Sequence, residues 1–330
     1  MRKSLIAQSV AAVISGLGLV AAANAAVVGP DPTALPANVD GVNVATSLVV
    51  NTDNIGHINI IPYYSAQGKN STLINIVNND TRNGKAVKVR FRGASNSDDV
   101  FDFTVLMSPG DKFPFAIAKD DATGLPKVAH GDKSCVLGGT TGTGINVLSG
   151  EKFVTARLKP SLTVDEKSNE TREGYVEILN MADIPQNAAA GSLFQTIKHK
   201  DVSGTWKAVC DATILSNNVG STPTDYARAV SRGLQVPTTG LSTNWTIIDV
   251  EETLTYTGVA VAVEARAAAA APGLSLPGYG NIVLHAQNAS TKDSANVELV
   301  NEILSADPLL RIDGRVAYAN YDFPDLSTPY

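Results

Sequence analysis

The side chains best suited to chemistry are few in this 330-residue chain and stand far apart. Its four histidines, His57, His130, His199 and His285, occur singly, without the paired helical spacing that holds zinc, and are read as packed or surface residues. No Gly-x-Ser-x-Gly elbow presents a serine nucleophile, and no Ser-x-x-Lys is accompanied by its partner motifs. The segment Gly138 to Gly144 is glycine-rich, but it lacks the lysine of a phosphate loop and no helical pattern follows it. An exposed loop is expected there. Adjacent carboxylates at Asp98-Asp99 and Asp120-Asp121 could offer oxygens to a hard cation such as calcium. Neither pair has the spacing of a calcium loop, and both sit among turn residues, where aspartate serves local hydrogen bonding. Accordingly no catalytic residue, no metal ligand and no cofactor is assigned.

Binding by aromatic platforms is the next chemistry to weigh. The chain holds only two Trp, nine Tyr and eight Phe, most of them at core-like strand positions. Tyr63, Tyr64, Trp206 and Trp245 are candidate platforms, and Tyr63, Tyr64 and Trp206 are singled out as contacts for a carbohydrate or peptide. Lys plus Arg number 26 against 32 Asp plus Glu, a net charge of −6, and no basic run supplies the phosphate-neutralising stripe that nucleic acid requires. Beyond the N-terminus no apolar stretch reaches the ~18 residues of a membrane-spanning helix.

Compartment is more legible than chemistry. Arg2 and Lys3 form a positive start, Leu5 to Val20 is mostly apolar, and Ala23-Asn24-Ala25 places small residues before a cleavage point. Residues 1–25 therefore read as a signal peptide, with cleavage between Ala25 and Ala26. Losing Arg2 and Lys3 makes the mature chain still more acidic. Its two cysteines, Cys135 and Cys210, form an even set in an exported chain and are expected to pair.

These residues must be positioned by strands. After a Pro-rich segment over residues 26–40, short runs of alternating hydrophobicity recur between turn signals. Val87, Val89 and Phe91 alternate with Lys88, Arg90 and Arg92, which predicts a half-buried strand with its cations on the solvent face. Asn83-Gly84 before it reads as a hairpin turn. Phe101, Phe103, Val105 and Met107 share one face of a second strand, closed by Ser108-Pro109-Gly110-Asp111. Further strands are expected over 57–63, 113–118, 152–158, 174–180, 245–250, 253–264 and 281–286. Helices are expected over 225–233, after Thr222-Pro223, and over 294–304. The pattern predicts a mainly β fold of antiparallel, sandwich-like (Ig-like) sheets with a few short helices. A β-rich domain over residues 41–240 and a smaller β-rich region over 241–330 are expected. An outer-membrane barrel has similar alternation, but Pro interrupts the final FPDLSTPY and aromatics are sparse for two girdles.

The segments GHINIIPYYSAQGKNSTLINIVNND, KAVKVRFRGASNSDDVFDFTVLMSPGD and TREGYVEILNMADI resemble a group of exported bacterial cell surface proteins of betaproteobacterial type, with distant relatives in metal-reducing deltaproteobacteria. The resemblance spans most of residues 40–330 and is most specific over 56–111. It implies a surface location and a β-rich build, and carries no catalytic residue across. Members of the group continue past the FPDLSTP region into a further strand-rich segment, so it also implies that the sequence is truncated at Tyr330. The expected function is a structural or adhesive one at the cell surface, without catalysis, with other surface or matrix components or a second copy as partner. The alternatives are a periplasmic or extracellular carbohydrate- or peptide-binding module and, after it, a secreted hydrolase or an outer-membrane barrel.

Overall fold

The computed structural model describes residues 26–28, 38–39, 42–95, 97, 99–137, 148–155, 158–159, 161–219, 226–268, 275–280 and 282–284. Its strands, in chain order, are β1 (Ala26–Val28), β2 (Asn38–Val39), β3 (Val42–Val44), β4 (Ser47–Asn51), β5 (Ile58–Ser65), β6 (Asn70–Asn78), β7 (Gly84–Gly93), β8 (Asp99–Met107), β9 (Lys112–Lys119), β10 (Pro126–Ala129), β11 (Cys135–Leu137), β12 (Glu173–Ile184), β13 (Lys200–Val202), β14 (Thr205–Lys207), β15 (Leu241–Asp249), β16 (Leu254–Val259), β17 (Val261–Ala268), β18 (Ser275–Tyr279) and β19 (Ile282–Leu284). Short helices run over Val164–Glu170, Leu193–Ile197, Ala212–Val219 and Tyr226–Ser231. The mainly β, antiparallel, sandwich-like build expected from the alternation is what the chain adopts.

Five strands form one sheet in the order β10-β9-β6-β15-β16. A ten-stranded sheet faces it, running β11-β8-β7-β12-β5-β17 and on to β18, β3 and β2, with β4 against β17. Between them lies the main core. Ile74 and Ile76 of β6 and Phe113, Phe115 and Ile117 of β9 meet Val87, Val89 and Phe91 of β7 and Phe101, Phe103 and Val105 of β8. Phe91 and Phe101 each pack on Phe153, with ring centroids 4.9 and 5.0 Å apart. Aromatic pairs at such separations add attraction beyond the area they bury.

The large sheet is covered on its second face too. Leu106, Met181 and Ile184 pack there against Leu193, Phe194 and Ile197 of one helix, with Leu215, Leu234, Val236, Tyr279 and Ile282. This second layer corrects the expectation for β7, which is buried along its whole length instead of half-exposed. Lys88 joins Asp102 at 2.8 Å with both side chains buried, and Arg92 lies 3.3 Å from Glu177. Register places Arg90 directly opposite Asp102 on one neighbouring strand and Glu177 on the other. The cations thus point into acidic flanking strands, and opposite charge offsets the desolvation that burial imposes.

Other boundaries differ from the sequence reading. Asn83-Gly84 makes no hairpin, because β6 and β7 lie in different sheets. Asp80 Oδ1 accepts from the N–H groups of Arg82 and Asn83 and shapes that crossover instead. The described residues of the strand expected over 152–158 hold only a bridge from Lys152 to Lys127. The single strand expected over 253–264 is two, β16 and β17, in opposite sheets with Ala260 between them. The boundary expected at 240/241 falls just before β15, which is hydrogen-bonded between β6 and β16 inside the five-stranded sheet. The 225–233 helix is present as Tyr226–Ser231. The leader over 1–25, the glycine-rich segment 138–144 and the helix expected over 294–304 lie outside the described residues, while Ala26 opens β1 opposite Leu284.

Candidate interaction surface

The expected cysteine pair is formed: Cys135 and Cys210 are bridged, with Cα atoms 5.3 Å apart. Both belong to the second layer, where the N–H groups of Val209 and Cys210 donate to the Thr196 carbonyl. The bridge fastens β11, at the sheet edge, to the segment that starts the Ala212–Val219 helix.

The three aromatic candidates do not form one platform. Tyr63 and Tyr64 are neighbours on β5, so alternation sends them to opposite faces. Tyr64 is fully buried in the main core, edge-on to Phe91, and its hydroxyl donates to the Thr171 carbonyl at 2.9 Å. It is a packing residue and offers no ligand surface. Tyr63 is exposed and donates to Glu173 Oε2 at 2.8 Å. Trp206 stands 72% exposed on the β13–β14 hairpin, opposite Asp201.

A cluster of polar and titratable side chains lies beside the β12 bulge. Lys85 donates to Asp183 at 2.9 Å, Asn180 Nδ2 donates to the same carboxylate at 2.8 Å, and Thr238 donates to its other oxygen through both N–H and hydroxyl. Burial pushes the Asp183 carboxyl above its ordinary range, against the pull of the Lys85 ammonium. Every Asp183 oxygen is engaged by the chain itself, and the cluster's work is to hold the 235–241 segment against β12. Asp120, one of the acidic-pair residues, is likewise taken: it binds Lys152 at 2.8 Å and Lys127 at 3.0 Å. Hydrogen bonds from Lys152, Thr123 and Lys127 hold its carboxyl well below the usual range. Among the described residues no group of three or more His, Cys, Asp or Glu is arranged to hold a metal ion.

Among the described residues, a run of exposed side chains and backbone groups lies along β16. This strand ends the five-stranded sheet, with β15 on one side and no strand on the other among the described residues. Leu254 is 48% exposed, Tyr256 56% and Val259 56%. The Ala260 N–H donates to the Thr243 carbonyl, which fixes the alternation of the β15–β16 ladder. Leu254, Tyr256 and Gly258 therefore spend their backbone groups on β15, and Thr255, Thr257 and Val259 point theirs outward. Trp245 lies across Gly258, where a Cβ would come within 2.7 Å of the indole. Nearby in the topology, β4 runs along β17 and leaves Leu48 and Val50 exposed. No family model, curated protein or solved structure matches the chain. Its surface must be read from its own chemistry.

The sequence contains the signal for this edge, and of the aromatic candidates only Trp245 lies beside it, while Tyr63, Tyr64 and Trp206 lie on β5 and β14. From Thr253 to Val263 no charged residue occurs, between Glu252 and Glu264. Exposed sheet edges normally carry lysine, proline or a bulge that discourages pairing. This one carries none within β16.

Proposed function

We propose that the chain is an exported protein with a structural or adhesive role at the cell surface, acting through strand contacts and without catalysis. The observation that carries this reading is the uncharged edge of β16, which has no strand beyond it among the described residues and which suits pairing with another chain by strand addition. Two further features support it: the leader-like pattern of residues 1–25, and a disulfide of the kind that persists in oxidising compartments. No helix among the described residues is long and apolar enough to cross a membrane.

Fractionation of the producing cell, with added protease on intact cells and intact mass of the recovered chain, tests the proposal. Expected are cleavage between Ala25 and Ala26, the two-hydrogen mass deficit of a disulfide, and digestion from outside. Recovery solely in a protease-shielded soluble fraction overturns the surface role. A second reading, a carbohydrate- or peptide-binding module, draws on the exposure of Trp206. A glycan array separates the two, since a ligand specific to the folded chain would raise its melting temperature by mass action and lose that effect in Trp206→Ala.

A further inference from the structure

The free edge of β16 also specifies what can occupy it. Its outward backbone groups, on Thr255, Thr257 and Val259, form a set of donors and acceptors that is complementary to itself when a second β16 approaches antiparallel. Centred on Thr257, such a pairing sets Thr257 opposite Thr257 of the second copy, and Thr255 opposite its Val259. Threonine and β-branched pairs of this kind favour cross-strand contact. On the other face Tyr256 comes beside Gly258 of the second copy, where the Trp245 indole already lies, so that aromatic side chains meet across the seam.

Charge selects the same arrangement. The whole chain carries −6, and the acids nearest this edge, Glu251 and Glu252, sit in the turn before β16. A parallel approach would place the acidic turns of two copies side by side. The antiparallel approach puts them at opposite ends of a six-residue strand, roughly 20 Å apart. That exceeds the ~8 Å screening length at physiological salt. Each acidic turn then lies next to the uncharged Val259-Ala260-Val261 end of the other copy.

We propose that two copies of this chain associate by pairing their β16 edges antiparallel about a two-fold axis at Thr257, joining the two five-stranded sheets into one. A closed two-fold pair is the commonest form of homo-oligomer. The proposal names the partner for the strand contacts of the preceding section and takes its biological setting from that reading. Its test is independent of location.

Sedimentation equilibrium on the purified full chain, from micromolar to millimolar concentration, is expected to show a reversible monomer–dimer equilibrium. Thr257→Lys and Thr257→Glu each set like charges against each other at the axis and should weaken the dimer by about tenfold or more. Both also lose the exposed bond from Thr257 Oγ1 to the Trp245 carbonyl, so neither variant alone isolates the seam. Mixing them does: an equimolar mixture should regain dimer at least as tight as the parent, which misfolded chains could not do. A parent chain that stays monomeric throughout, variants that dimerise as tightly as the parent, or a mixture that fails to recover each overturns the proposal. A cytoplasmic chain that still dimerises in this pattern would overturn the surface role alone.

Discussion

His57 shows how completely a single side chain can be absorbed by the fold. It is fully buried, its Nδ1 accepts from the Ala265 N–H at 3.2 Å, and its Nε2 donates to the Gly278 carbonyl at 3.0 Å. Those partners define a neutral ring with its proton on Nε2. Adding a second proton would direct it at the Ala265 N–H. Burial first, then the Lys85 charge, lowers the His57 pKa from 6.5 to about 3. Between those values the unfolded chain binds a proton that the folded chain refuses, so the stability linked to His57 is complete above pH 6.5 and is lost as pH falls toward 3. From pH 7 to pH 5 this amounts to about 2 kcal/mol. Urea unfolding at the two pH values should show a drop in stability smaller by that amount in His57→Gln, which keeps a donor and an acceptor but does not titrate. Equal drops in parent and variant would contradict it. The sequence could present His57 as one unassigned strand histidine, because its partners lie 208 and 221 residues away.

At the scale of elements, local signals were readable and their cover was not. Alternation places Val87, Val89 and Phe91 on one face of β7 in both sequence and structure. The fate of Lys88, Arg90 and Arg92 depends on what packs over the other face, and no window of sequence contains that. A further local signal lies in Thr163-x-x-Glu166, which caps the Val164–Glu170 helix, with Thr163 N–H donating to the Glu166 carboxylate at 2.7 Å. The join between β12 and β7 turns on Gly174. It pairs with Gly93, and a Cβ there would fall 1.8 Å from the Arg92 carbonyl oxygen. Backbone cannot swing aside as a side chain can, so Gly174→Ala must part the strands locally. A loss of about 1–3 kcal/mol or more is expected in urea unfolding. Gly110→Ala, whose Cβ would meet nothing within 4 Å but whose φ is +68°, provides a comparison governed by backbone strain alone. Its loss should be the smaller; the reverse order would contradict the close-approach account.

For the whole molecule, the question is whether the sandwich and the second layer hold together as one cooperative body. The sandwich core rests on long antiparallel ladders, β7 with β8 and β12, and β6 with β9 and β15. The second layer has helices of five to eight residues and relies on side chains packed on one sheet face. Helices that short have little stability of their own in water. The Cys135–Cys210 bridge enters here, with a sequence separation of 75. In the chain-entropy account, closing a loop of that length stabilises the fold by about 4.5 kcal/mol, and removing a native bridge costs about 2–5 kcal/mol in practice. Cys135→Ala with Cys210→Ala should therefore lower the urea midpoint and steepen the transition, because the unfolded chain exposes more surface once unlinked. Hydrogen exchange should place the damage. Amides of Leu193–Ile197 and of Leu234 to Val236 are expected to lose protection by local opening, while those of Phe103 and Phe115 still exchange only with global unfolding. A loss in both layers no larger than the fall in global stability would instead mean that the second layer still opens only with the whole fold. An unchanged midpoint would mean that packing of Phe194, Ile197, Leu215 and Tyr279 on the sheet already suffices to hold the second layer without it.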